Sequence, residues 1–222
     1  KAHRAMVRAK VAMLGETPNL DEFRHYLNLT ASYASAPLPM MVMMQGLSGS
    51  GKSTLAAALA PDLGRAPGAR VIGSDRTRKA MFDTAPDHSL PPEAYSAEVS
   101  ARVYSAIAAR SERLLEDGVT VIADAVHDRA DDRARIEAVA AVVGVPFDGV
   151  WLQADPEALR GRLKTRDPGA SDADANVLAD QLARAPKSID WQTVPTGATV
   201  SDSVTAILAT VTGGRNQPSR RQ

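Results

Sequence analysis

The feature that most constrains this chain is an eight-residue segment, Gly46-Leu-Ser-Gly-Ser-Gly51-Lys52-Ser53, which fits the pattern G-x-x-x-x-G-K-[ST]. An apolar run from Met40 to Gln45 precedes it and a helical stretch from Thr54 to Ala60 follows. That is the strand–loop–helix context the pattern needs. Glycines at these positions let backbone N–H groups turn inward around phosphate oxygens, and the helix N-terminus adds a favourable dipole. Gly46, Ser48, Gly49, Ser50, Gly51, Lys52, Ser53 and Thr54 are therefore the candidate phosphate-binding residues. Lys52 is placed to reach the β- and γ-phosphates. The Ser53 hydroxyl is the candidate ligand for Mg²⁺, a cation that keeps several waters and bridges phosphate oxygens.

The rest of the chain alternates short apolar runs with helical periodicities. Strands are expected at 40–45, 70–73, 119–123, 147–153 and 191–194. Helices are expected at 2–14, 20–35, 54–60, 74–82, 93–117, on Ile136 to Val143, from an Asp155 cap to about Arg166, from Ser171, and from a Ser201 cap onward. Strands and helices in this alternation predict a parallel, doubly wound α/β sheet of five strands with right-handed crossovers. The run at 40–45 is too uniformly apolar for a half-exposed strand, so it belongs in the sheet centre. Ligands in such sheets bind beyond the carboxyl ends of the strands.

Composition narrows the class. A chain of 222 residues, 44% hydrophobic, can bury one sizeable core or one core with a short appendage. There is no cysteine, which excludes disulfide frameworks and thiolate chemistry. The longest apolar run, Leu38 to Met44, is far below the ~20 residues that span a bilayer. No membrane partner is expected, and a cytoplasmic location is. The formal charge of zero is uneven. Residues 1–36 carry five Lys/Arg and three Asp/Glu, and residues 213–222 carry three Arg and no acid, leaving 18 basic and 23 acidic residues in between. An acidic middle is a poor general host for a nucleic-acid backbone, although a local basic groove is compatible with it. The expected organisation is a helical segment at 1–36, a nucleotide-binding domain at 37–212 and a basic, disordered tail at 213–222. The chain starts at Lys1 rather than Met, which suggests a preceding, covalently linked domain.

Other residues refine the chemistry. No Asn-Lys-x-Asp occurs, so the usual guanine-reading segment is missing. The strand ending Val121-Ile-Ala-Asp124 has no Glu beside the Asp, which disfavours a hydrolysis-driven motor. Asp75 stands at the carboxyl end of the second strand with Arg78 one turn on. A hydroxyl acceptor needs a base, which Asp75 could be, and an anchor for its polar part, which Arg78 could be. A helix N-cap Asp followed by surface arginines reads the same way. Asp124 could hold a metal-bound water or position the acceptor, or be a buried structural carboxylate. Arg162 and Arg166 share a helix face behind Leu159 and Leu163. They could stack on an adenine and neutralise a transferring phosphoryl group, or form a solvated basic face. The segment 166–171 could hinge a lid.

Taken together, the motif at 46–53, Ser-Asp-x-x-Arg-Lys at 74–79, Tyr95 and Tyr104, Val-Ile-Ala-Asp-Ala at 121–125 with Arg133 downstream, Arg-x-x-x-Arg at 162–166 and Ser-Asp-Ala at 171–173 resemble a known family. These are P-loop kinases often described as AAA-type ATP-binding domains, relatives of gluconate kinase, zeta toxins, chloramphenicol phosphotransferase and polynucleotide 5′-kinases. The resemblance covers about 38–212. It implies a P-loop NTPase fold of the adenylate-kinase-like type with a helical lid, ATP as donor, Asp75 as acceptor base, Arg166 as a lid arginine, and Arg78 and Arg133 near the substrate. Residues 4–14 resemble the end of an aminoglycoside-phosphotransferase-like domain that precedes this one in many members. The expected activity is transfer of the ATP γ-phosphate to a hydroxyl of a small molecule. The alternatives are an ATP-binding regulatory module and a polynucleotide 5′-kinase. His127 and Asp128 depart from the bulkier apolar residue of many members.

Overall fold

A computed structural model describes residues 2–14, 17–34, 37–126, 130–165, 175–185, 190–196 and 199–213. Two helices come first, α1 (Ala2–Ala12) and α2 (Leu20–Ala34), and they pack chiefly on each other. The Arg8 guanidinium clasps the pair, donating from Nη1 to the Tyr26 hydroxyl at 2.9 Å and lying 5.5 Å from its ring centroid. Val7, Val11 and Leu20 on these helices, and Leu14 just after α1, remain exposed.

The strands are β1 (Met41–Gly46), β2 (Arg70–Gly73), β3 (Val121–Asp124), β4 (Phe147–Gln153) and β5 (Gln192–Pro195). They form one sheet in the order β2-β3-β1-β4-β5, and every pairing is parallel. The most apolar strand, β1, is central as expected, and all six of its residues are buried. The reason is visible in the two core layers. Val42 and Met44 turn to one face with Leu55, Leu59, Ile207 and Val211, whereas Met41 and Met43 turn to the other with Val103, Ile107, Ile136 and Ala140. The first set comes from α3 (Lys52–Leu59) and the last helix, α9 (Val200–Gly213). The second comes from α5 (Ala97–Glu116) and α6 (Ala130–Val143). A strand covered on both sides has no polar face to alternate with.

Several boundaries differ from the sequence expectation for local reasons. Helix α3 starts at Lys52, two residues early, because the phosphate loop runs directly into its first turn. The expected helix at 93–117 is divided: a 3₁₀ turn, Pro92–Tyr95, precedes α5, and Ser96 breaks the run by capping the Val99 N–H at 3.3 Å. Asp155 caps α7 (Pro156–Lys164) as expected, accepting from Glu157 and Ala158. The cap of α9 is Thr199 rather than Ser201. Its hydroxyl accepts from the Asp202 N–H while its own N–H donates to the Asp202 carboxylate, a reciprocal box that Ser201 could not form. Two further helices bear on the site: α4 (Ser74–Met81), which continues β2, and α8 (Ala175–Arg184). Among the described residues no helix is long and apolar enough to cross a membrane.

Candidate active site

Three strands end on one cleft of about 1930 Å³. Register fixes their relation: Met44 of β1 pairs with Asp124 of β3, and Asp124 pairs in turn with Gly73 of β2. The loop after β1, the Asp ending β3 and the helix that continues β2 therefore share one rim.

The phosphate loop has the backbone its glycines imply. Gly49 and Gly51 adopt left-handed φ values of 82° and 87°. A Cβ at Gly46 would lie 2.7 Å from the Ser50 hydroxyl and 2.9 Å from the Leu152 carbonyl oxygen. Ser48 and Ser50 are buried, with the Ser50 N–H closing a turn on the Leu47 carbonyl at 3.1 Å. Lys52, Ser53 and Thr54 form the first turn of α3 and line the cleft. The Lys52 ammonium donates to the Leu47 carbonyl at 3.0 Å, which holds it over the loop.

Asp124 is 6% exposed and hydrogen-bonds the Ser53 hydroxyl. Burial raises its pKa above the ordinary 3.8, an effect opposed by the Lys52 charge and by the Ser53 bond and reinforced by Asp75. A buried carboxylate touching a hydroxyl, beside a phosphate loop, is the hard-oxygen donor set that suits Mg²⁺. That ion takes one or two protein oxygens and fills its octahedron with phosphate and water. Ser53 and Asp124 are the residues that would hold it. Among the described residues no group of three His, Cys, Asp or Glu side chains is arranged to hold a metal unaided.

Asp75 is half-buried on the cleft wall. It is not an N-cap: Gly73 occupies that position and no side chain caps the helix, so the carboxylate is left for the cleft. Arg78 is likewise no surface arginine. It is 6% exposed, donates from Nη1 to the Ala94 carbonyl at 2.6 Å and from Nη2 to the Ser100 hydroxyl at 3.3 Å, and lies 4.9 Å from the Tyr95 ring centroid. Among the described residues its Nε has no hydrogen-bond partner. Tyr95 and Tyr104 line the same wall.

On the opposite side Arg162 spans the loop and the sheet edge, donating to the Gly49 carbonyl at 3.4 Å and to the Thr196 carbonyl at 2.8 Å. Leu159 and Leu163 lie beneath it, as the sequence pattern requires, with Leu47 and Leu178. Arg133 is half-buried on α6 and is not among the residues that line the cleft; the neighbouring Asp132, buried, is. Arg166, His127, Arg129 and residues 171–174 lie outside the described residues, and the helix expected from Ser171 is described from Ala175 onward as α8.

Sequence reasoning missed Gln181. Its Oε1 accepts the Ser48 N–H at 2.8 Å, tying α8 to the phosphate loop. A signal was present: Gln181 is the polar member of the buried stripe Leu178, Gln181, Leu182.

A parallel sheet whose central strand feeds a glycine loop and lysine, flanked by an Asp on the adjacent strand, defines a P-loop nucleotide-binding protein. More narrowly, an AAA domain family model matches residues 41–187, and the chain belongs to that family of P-loop kinase domains. The chain is similar to an adenylyl-sulfate kinase of Myxococcus xanthus (strain DK1622), 31% identical over 122 residues, which are 55% of this chain and 62% of that protein. The match thus spans less than two thirds of that relative. Solved structures share the fold. A gluconokinase from Sinorhizobium meliloti 1021 superposes with a TM-score of 0.57 at 19% identity, over 79% of this chain and 93% of that one. The Mycobacterium tuberculosis APS kinase in complex with AMPPNP and APS gives 0.57 at 20%, over 79% and 99%.

Proposed function

We propose that this chain is an ATP- and Mg²⁺-dependent phosphotransferase that moves the γ-phosphate to a hydroxyl of a small molecule. The observation that carries this reading is the shared cleft: Lys52 and Ser53 from the loop, Asp124 from β3 and Asp75 from the end of β2 line one cavity. A regulator that only binds nucleotide has no use for a carboxylate that does not cap its helix and lines the same cleft as the phosphate loop. The kinases among the similar proteins agree with it.

In this reading the loop amides and Lys52 hold the phosphate chain, and Ser53 and Asp124 would hold a Mg²⁺ that would supply charge neutralisation. Asp75 accepts the proton of the acceptor hydroxyl. The acceptor oxygen forms its bond to the γ-phosphorus as the bond to the β–γ bridging oxygen breaks, and ADP leaves. Arg162 braces the loop from the side. Arg166 is proposed to serve from the lid, and the reaction to run in the cytoplasm. The exposed apolar residues of α1 and α2 support a covalently linked N-terminal domain packed against them.

Asp75→Asn tests the assignment. We expect phosphoryl transfer from γ-labelled ATP, scored over a panel of metabolites, to be abolished while ATP affinity stays within a few-fold. Wild-type transfer by that variant would overturn the role of Asp75.

A further inference from the structure

The cleft does not stop at the acceptor base. It continues along the outer edge of the sheet, where β2 has no further neighbour, and its wall there includes Arg70, Arg110 and Arg113. Alternation puts Arg70 on the same face of β2 as Ile72, and Ile72 packs against Val103 and Ile107 of α5, so Arg70 faces the helix that carries the other two. Arg110 and Arg113 are one turn apart, a like-charge spacing that helix surfaces ordinarily disfavour. All three are exposed, and among the described residues none forms an ion pair. The carboxylates that line the cleft, Asp75, Asp124, Asp132 and Asp180, lie on other elements, and none lies on α5 or along β2.

From these observations we infer that the acceptor is an extended molecule bearing a phosphate group, which sits on Arg70, Arg110 and Arg113 while its hydroxyl reaches Asp75. The inference rests on the phosphotransferase reading and adds to it the class of substrate. Scale supports it. Three strand steps from Arg70 to Gly73 cover about 10 Å, and ten helical rises from Ser100 to Arg110 about 15 Å. A single sugar ring does not bridge that gap, whereas a nucleotide or a short strand does. Three guanidinium forks offer more donors than the two oxygens of one carboxylate can accept, and their planar geometry fits the oxygens of phosphate. On the small-molecule reading the phosphate belongs to a mononucleotide-sized metabolite, and a strand end is the alternative source that the oligothymidylate arm of the test detects. The chemistry is the same in both.

The test uses the full chain with the phosphate loop filled by AMPPNP and Mg²⁺, so that added anions cannot bind there. Two probes are titrated: inorganic tripolyphosphate, and a short oligothymidylate with a free 5′-hydroxyl and a 3′ fluorophore. The triple variant Arg70→Gln, Arg110→Gln, Arg113→Gln is compared with wild type. We expect at least one probe to bind wild type, and the variant to lose at least about tenfold in affinity and to flatten the salt dependence by about two charges' worth. Binding of tripolyphosphate alone identifies a small phosphorylated acceptor, and binding of the oligothymidylate identifies a strand end. If neither probe binds, or the variant binds as well as wild type, the proposal is overturned. Failure of AMPPNP itself to bind wild type overturns the phosphotransferase reading instead, and the melting temperature of the variant shows that its fold is intact.

Discussion

Gln181 and Ser48, 133 positions apart, are joined by a hydrogen bond of 2.8 Å from the Ser48 backbone N–H to the Gln181 side-chain oxygen. Both residues are buried. The bond makes α8 a structural part of the phosphate loop, because the loop's third residue is held by the helix and not by its own turn. Leu178 on the same helix packs with Leu47 and Leu159, so apolar contact and hydrogen bond converge on one short stretch of loop.

Gln181→Leu keeps the apolar stripe and leaves a buried N–H without an acceptor, which costs about 1–3 kcal/mol. A chain of this size should lose several degrees in melting temperature. Affinity for ATP should fall as well, since the loop is no longer fixed in its binding shape. Glutamate at the same position retains an acceptor, so Gln181→Glu should melt closer to wild type. Calorimetry of both variants, with and without nucleotide, separates these effects. Equal melting of Gln181→Leu and wild type would show that the bond contributes nothing.

Much of this architecture was legible in the sequence, and the parts that were not share a cause. Alternation and apolar runs located all five strands, and the motif at 46–53 placed the loop, because both are local signals. The split before α5 was hidden because Tyr95 continues the apolar spacing of the helix, while Ser96, the residue that interrupts it, is unremarkable by composition. Arg78 read either as an anchor for the acceptor or as a surface arginine, and neither reading held its burial. Its burial depends on the Ala94 carbonyl and on Ser100, which come from a different part of the chain. Asp132 lines the cleft beside Arg133 on α6, and a resemblance that fixes order along the chain but not helical phase did not single it out.

Asp124 supplies a prediction with a definite sign. Burial raises its pKa in the folded protein above the ordinary 3.8. Over the interval between those two values the folded state holds more protons than the unfolded one, so its contribution to stability declines as pH rises through that window. Asp124→Asn removes the titration and the buried charge. In the absence of nucleotide we expect the variant to melt at least as high as wild type at neutral pH and to lose the decline across the window. Its transfer activity should fall steeply and respond less to Mg²⁺. Melting curves over a pH series check the first expectation, and a Mg²⁺ titration of transfer checks the second.

Arg78 is held by two protein acceptors and by the Tyr95 ring, which are requirements of a planar guanidinium and not of charge alone. Arg78→Lys preserves the charge and cannot serve both acceptors. A loss of about 1.5–3 kcal/mol in stability is expected, the usual worth of a hydrogen bond to a charged group. The acceptor KM should rise more than the KM for ATP, because Arg78 stands on the Asp75 side of the cleft. A rise confined to ATP would place Arg78 with the nucleotide.

The loop glycines permit a separation of steric from conformational demands. Gly49 and Gly51 both take left-handed φ, 82° and 87°, a conformation that costs an L-residue about 1–2 kcal/mol. Their surroundings differ. A Cβ at Gly49 would lie 3.0 Å from the Leu159 carbonyl oxygen, whereas one at Gly51 meets nothing within 4 Å. Gly51→Ala therefore pays the conformational cost alone, and Gly49→Ala also pushes α7 away from the loop. Since Arg162 on α7 donates to the Gly49 carbonyl, that displacement should loosen the brace across the cleft. We expect Gly49→Ala to be the less stable of the two without nucleotide. The double variant Gly49→Ala, Arg162→Ala should be less destabilised than the sum of the single changes, because the first has already weakened what the second removes. Strict additivity in melting free energy would show that loop and brace are independent.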